Sequence, residues 1–389
     1  MKVNSMNAMR FLLFGLVIGG VQLSHARSAA ATPAPQTGII VDIQPREPPG
    51  QLKVSRKRNE TPVDGMINMQ VRRGDLLILE KGANATVVCD GSKKKYPLRP
   101  NVSQACPCSA GLGVKQRGPY DIFNPRAGRD TELSSFPVII SPRSTLILNP
   151  RPRLRWSDVS KSASGTSTTD TVYSVSIYTD NGTLRWSREG IRKNEMAYPY
   201  DAPALMPGEY LLVVKTGTHD SNDEYLPGRG FTVLPTCSGR ARKRGDPPCL
   251  AQQVREEEGR IRRMNLPDDS TRLLLARLYT HNGLYAEAIE ELERVSETVK
   301  TPPVISQLGN LYALVGLNRE AINLYLEALS LPTMASDLEA RASTLRSLAF
   351  AFEQLGKRDQ ARAKYDEAIR AYGKLGDKRM VTILKNQRP

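Results

Sequence analysis

Two β-rich units followed by a stack of helix pairs is the fold class predicted by this 389-residue chain. Three observations carry it. Short alternating apolar stretches, separated by turn residues, fill the region after a cationic apolar start. A self-similar pattern occupies the last third, and its glycines recur 33 and then 40 residues apart, at 283, 316 and 356. That spacing is the range of helix-pair repeats.

The start is read first. Lys2 and Arg10 precede the run Phe11–Val21, and Ser24-His25-Ala26 follows. A positive flank, a short apolar stretch and a small-x-small end are the parts of a secretory leader. Eleven residues are too few to cross a bilayer core. Residues 1–26 are therefore expected to be removed near Ala26. The mature chain is expected to be exported to the periplasm or beyond, soluble and associated with the cell envelope. Residues 27–37, rich in Ala, Pro and Ser, form a flexible linker.

From 38 to 116 the pattern is short and β-like. Its centre is Val71-Arg72-Arg73-Gly74-Asp75-Leu76-Leu77-Ile78-Leu79, then Ala85-Thr86-Val87-Val88-Cys89-Asp90-Gly91-Ser92. Alternation ending in Asp-Gly is a hairpin signal. The order Gly-Asp, Ala-x-Val, Asp-Gly-Ser resembles the FecR-like β-domain of bacterial envelope proteins. The signalling members of that family carry a membrane span and an inner-face segment; neither is recognisable here, so their regulatory role is not expected to carry over easily. After a linker at 117–131, residues 132–235 alternate clearly, with Tyr173, Val175 and Ile177 on one face. Arg153–Trp156, Thr183–Trp186, Glu209–Val214 and Gly230–Leu234 supply further strands, which suggests an antiparallel sandwich. Pro152-x-Leu154-x-Trp156 and Leu205-Met206-Pro207-Gly208-Glu209-Tyr210 are similar to fibronectin-type and immunoglobulin-like modules. Trp156 and Trp186 are expected in the core rather than as a sugar platform. Residues 236–250 form a basic linker.

The helical part runs from 251 to 389. Leu275, Leu308 and Leu348 each begin a block with a small residue next, an aromatic or apolar residue further on, and a terminal glycine. Leu275 with Tyr279, and Leu308 with Tyr312, form a buried stripe at i, i+4. Glycine ends the first helix because it takes a positive φ at no steric cost. The second helix folds back from near Tyr285, Arg319 or Asp359, and Gly309 and Ala321 allow close approach. No pair buries both faces alone, so copies stack and a cap is needed; Lys378–Gln387 suits that role. Over about Thr271–Tyr372 the pattern resembles the tetratricopeptide repeat (TPR). The resemblance implies a solenoid whose groove is lined by the first helix of each pair.

Charge and chemistry exclude several functions. The formal net charge is +15. The part from Ala251 holds 21 Lys+Arg against 19 Asp+Glu, so the β-rich half carries most of the excess. Its clusters, Arg56–Arg58, Lys93–Lys95 and Arg240–Arg244, suit weak contact with an anionic envelope polymer, and no nucleic-acid module is recognisable. In an oxidising compartment Cys237 and Cys249 are expected to pair, with Cys89 pairing Cys106 or Cys108 and one thiol left over. Outside the leader only His219 and His281 remain, and no Cys-x-x-Cys exists, so no metal site or cofactor is expected. Phosphate-loop, dinucleotide and nucleophile-elbow signatures are missing. No catalytic residue is assigned and the chain is expected not to be an enzyme.

The expected function is that of an exported scaffold or adaptor. Arg277, His281, Ser306, Asn310, Arg346, Phe350 and Gln354 are expected to line the groove and contact a protein or peptide partner. The alternative is that the basic β modules bind envelope polymer while the repeats serve assembly.

Overall fold

The computed structural model describes residues 37–45, 50–56, 61–72, 74–89, 94–100, 103–105, 137–159, 171–217, 219–221, 230–236 and 249–389. The expected leader, the linker at 117–131, and Cys106, Cys108 and Cys237 lie outside these residues.

The first β unit has two four-stranded antiparallel sheets. One runs β4 (Gln70–Arg72), β1 (Thr37–Gln44), β6 (Asn84–Cys89), β7 (Lys95–Pro97); the other runs β3 (Val63–Asp64), β2 (Leu52–Ser55), β5 (Leu76–Leu79), β8 (Ser103–Ala105). β5 alternates between buried and half-buried residues, as a strand with one core face should. β1 does not alternate: Ile39, Ile40 and Val41 are all buried. One face meets the unit's own core and the other meets the helices, so the run is apolar on both sides.

The second unit places β14 (Glu195–Ala197), β11 (Arg153–Trp156) and β9 (Ile139–Ser141) in one sheet. The other sheet runs β10 (Thr145–Ile147), β17 (Phe231–Val233), β15 (Gly208–Thr216), β12 (Tyr173–Thr179), β13 (Leu184–Ile191), with β16 (His219–Asp220) beside β15. Inner residues of both sheets, among them Trp156, Tyr173, Ile177 and Phe231, share one core. The Tyr210 hydroxyl donates to the Met206 carbonyl at 2.8 Å, tying the start of β15 to its turn. Trp156 is fully buried, but Trp186 is only half-buried because it sits on the edge strand.

Helices follow without a further strand among the described residues: α1 (Leu250–Arg262), α2 (Asp268–His281), α3 (Tyr285–Thr298), α4 (Pro302–Leu314), α5 (Asn318–Ser330), α6 (Leu338–Gln354), α7 (Arg358–Lys374) and α8 (Lys378–Gln387). The helices pack as the pairs α2–α3, α4–α5 and α6–α7, and α8 packs on α7 at the end of the stack. Gly283, Gly316 and Gly356 all take φ between 72° and 84° just after the first helix of a pair. The longer second spacing holds a 3₁₀ turn, Pro332–Ala335, whose Met334 is buried against Ile305 and Ala328. Asp337 then caps α6 by accepting from the Ala340 N–H.

The close approach inside the second pair has a more specific cause than small residues alone. A Cβ on Gly309 would lie 2.8 Å from Cε1 of Tyr325, so the tyrosine ring fills the space a side chain would need.

Candidate functional site: the α2–α4–α6 face

The first helices of the pairs present one common face, and the chain's own β units border it on both edges. The first β unit sits at the connections leading into α2, α4 and α6. Ser270 Oγ donates to the Val41 carbonyl at 2.6 Å, and Thr301 Oγ1 to the Ile67 carbonyl at 3.0 Å. Asn68 Nδ2 donates to Gln307 Oε1 at 2.6 Å and lies 3.3 Å from the Pro303 carbonyl. Arg72 and Arg56 both bridge to Glu339, the latter at 2.9 Å. The apolar cores of this unit and of the helices form one continuous cluster.

The second unit sits at the opposite connections, from the first helix to the second. Leu146 N–H and Thr145 Oγ1 donate to the Gly283 carbonyl at 3.0 and 3.2 Å. Thr145 Oγ1 in turn accepts from Tyr285 N–H at 2.8 Å, and Arg143 Nε donates to the Val315 carbonyl at 2.8 Å. Arg155 reaches Glu293 on α3 through both guanidinium nitrogens, at 2.7 and 3.0 Å.

On α4 the spacing Gln307, Asn310, Leu314 follows i, i+3, i+7 and marks a single face. Gln307 is already bonded to Asn68, so the first β unit covers the opening turns of that face. Leu274, the equivalent of Gln307 on α2, is buried there too. About eight residues, or roughly 12 Å of helix, separate Gln307 from Val315.

The seven expected groove residues divide accordingly. His281 is exposed, whereas Arg277, Arg346, Phe350 and Gln354 are half-buried. Gln354 Oε1 is buried with no hydrogen-bond partner. Ser306 Oγ lies 3.1 Å from Thr344 Oγ1 and helps join α4 to α6. Asn310 Oδ1 accepts from the Tyr325 hydroxyl at 2.8 Å. These last two side chains are thus engaged in holding helices together.

A tyrosine series that no groove expectation included does similar work between helices. Tyr279 donates to Glu258 at 2.7 Å, Tyr312 to Glu293, and Tyr365 to Glu353 at 2.9 Å. Burial first, then the neighbouring carboxylates, pushes all three phenols well above their ordinary range, so they remain donors. Glu287 is the outlying carboxylate. It accepts from Leu148 N–H at 2.8 Å, its Oε2 is buried without a partner, and desolvation pushes it up to about 7. The signal for it in the sequence is absent, because Leu148 is 139 residues away.

Cys89 and Cys249 are each disulfide-bonded; their expected partners lie outside the described residues. Among the described residues no group of His, Cys, Asp and Glu could hold a metal ion, and no helix is long and apolar enough to cross a membrane.

No family model matches the chain, and no curated protein does. Solved structures match over its helical part. A crystal structure of MamA is 18% identical, covers 36% of this chain and 92% of its own, and has a TM-score of 0.26. BtubC (BKLC) from P. vanneervenii is 20% identical over 35% of this chain and 61% of its own, with a TM-score of 0.29. A Podosopora anserina protein of nearly identical TPR-like repeats, related to kinesin light chain, is 20% identical over 35% of this chain and 85% of its own, at 0.27.

Proposed function

We propose that this chain is an exported, non-catalytic scaffold that binds a partner protein or peptide on the open strip of the α2–α4–α6 face. What supports it is the register of the helices: Arg277 and Phe350 stand at the position of Asn310, and His281 and Gln354 at that of Leu314, three and seven residues past the position of Gln307, which bonds the first β unit, and His281 is exposed. In this reading residues 1–26 are a cleaved leader, the first β unit is FecR-like, and the second is fibronectin-like. The Tyr210–Met206 bond, a tyrosine held by its own turn, supports that last assignment. Cys237 and Cys249 are the proposed pair that closes the basic segment before α1.

The test uses the mature chain as bait in extracts of its native host. His281→Glu with Gln354→Arg should lower recovery of specific proteins at least tenfold, as loss of a central contact does, while helix content stays constant. Equal recovery by both baits overturns the reading. Processing at Ala26 is checked by the mass of the exported form.

A second reading has its own support. Because the first β unit already occupies part of the helical face, the repeats would serve mainly as a chassis, with the basic β modules gripping an anionic envelope polymer. Polymer binding of that kind should fall steeply with added salt, whereas binding of a peptide on the helical face should fall little.

A further inference from the structure

The helical part is close to neutral as a whole, but its charge is unevenly spread. Residues 357–389, which form α7 and α8, hold ten Lys and Arg against four Asp and Glu. Residues 251–356 hold eleven against fifteen. A basic end thus closes an otherwise acidic stack.

The two helices bring these cations onto one surface. Arg362, Arg370 and Lys374 recur at multiples of four along α7, with Asp366 between them, over about 18 Å. The end of α8 meets the middle of this row. Arg388 pairs with Asp366 at 2.8 Å, and Arg362 Nε donates to the Pro389 carbonyl at 3.1 Å. α8 therefore runs back along α7, and its first turn, with Lys378 and Arg379, lies at the end that carries Lys374. Arg358, Arg370, Lys374, Lys378, Arg379 and Lys385 are all exposed, and none pairs with a carboxylate among the described residues.

Helix stability does not account for that placement. The first turn of a helix favours acidic side chains, because its unbonded N–H groups leave it positive. α2, α3, α5 and α6 each carry an acid there. α8 carries none: Asp377 caps it by accepting from Met380 N–H at 2.9 Å, and the next two residues are cations.

What the face lacks narrows the ligand. No large apolar side chain of α7 or α8 is exposed, so a bilayer finds no anchor. Tyr365 and Tyr372 are buried, so nucleic-acid bases find no ring to stack on. A chain with a phosphate on every unit supplies negative charge as densely as these cations stand, whereas one carboxylate per sugar ring spreads it more thinly.

We propose that the α7–α8 face binds a linear phosphate polymer, whose anions lie along the row from Arg362 to Lys374 and on the first turn of α8. This site is separate from both the α2–α4–α6 strip and the basic β modules.

The experiment is titration of fluorescently labelled polyphosphate with the mature chain, read by anisotropy at several salt concentrations. The wild type should bind, with an affinity that falls steeply as salt is added. Lys378→Glu with Arg379→Glu should weaken binding at least tenfold. The same variant should melt at a higher temperature, since glutamates suit the start of α8. Arg185→Glu with Lys193→Glu, at exposed positions of the second β unit, makes the same change in net charge and should weaken binding less than threefold. A wild type that does not bind overturns the proposal. So do two variants that weaken binding equally, which would mean that net charge alone attracts the polymer. A lower melting temperature for Lys378→Glu with Arg379→Glu would show that the two cations serve the fold, and overturns it as well. Tighter binding of polygalacturonate, of a single-stranded DNA oligonucleotide or of phosphatidylglycerol vesicles than of polyphosphate would assign the face to another ligand and has the same force.

Discussion

Arg155 of the sandwich and Glu293 of α3 meet through a two-point ion pair, and the Tyr312 hydroxyl donates to the same carboxylate from α4. One carboxylate thus ties the second β unit to two consecutive helices. Both partners are largely buried, at 19% and 26% exposure, so the pair is only weakly screened by water.

Arg155→Ala should therefore cost about 2–3 kcal/mol, since it leaves Glu293 desolvated and half-paired. Arg155→Lys should recover less than half of that, because an ammonium cannot make both bonds in the plane of the carboxylate. Chemical denaturation of the three proteins, read at constant slope, checks the order.

Glu287 makes stability depend on pH. Its carboxyl titrates near 4.5 when solvated and near 7 in the fold, where burial disfavours the charge. The folded state therefore favours the neutral acid. That contribution is fully present below about pH 4.5 and is lost as pH rises through 7, at a cost of up to about 3 kcal/mol. Glu287→Gln keeps an acceptor for Leu148 N–H and should flatten the profile, making the variant more stable than the wild type at pH 8. Melting temperatures of both across pH 5 to 8 test this; parallel profiles would count against it.

Asn68 holds φ at 67° while its side chain bonds Gln307. Asn68→Gly should lose only the bonds, about 1 kcal/mol. Asn68→Ala should lose the bonds and add about 1 kcal/mol of left-handed strain. The difference between the two variants, measured by thermal unfolding, isolates the backbone contribution.

Gly309→Ala should be destabilising by about 1–2 kcal/mol, although alanine is the better helix former. The added methyl meets the Tyr325 ring, which is buried and anchored to Asn310, so neither group has room to give. Gly309→Ala combined with Tyr325→Leu should recover part of the loss, and failure to do so would point away from a steric cause.

Local patterns make much of this fold legible. The glycines at 283, 316 and 356 mark the ends of first helices because the reversal demands a positive φ that other residues resist. The helix Lys378–Gln387 is evident from its apolar spacing, and the alternation of Tyr173, Val175 and Ile177 already identifies a strand with one buried face. These are short-range requirements, met within one or two turns or a single strand, and so they leave a mark in the residue order.

The candidate face is legible only as helices and stripe positions. Ser306 and Asn310 fall on the right helices, but their neighbours Thr344 and Tyr325 decide that they bond within the molecule. The burial of Ile39, Ile40 and Val41 depends on the helical part as well as on the first β unit, as the bond from Ser270, 229 positions later, to the Val41 carbonyl shows. Residue order alone dictates which segments become strands and helices, because backbone geometry and side-chain periodicity act locally. The docking of both β units on opposite edges of the repeats, and with it the set of side chains left open, is settled in the folded molecule. It depends on shape and hydrogen bonds between surfaces far apart in the chain, for which no periodicity exists to be read.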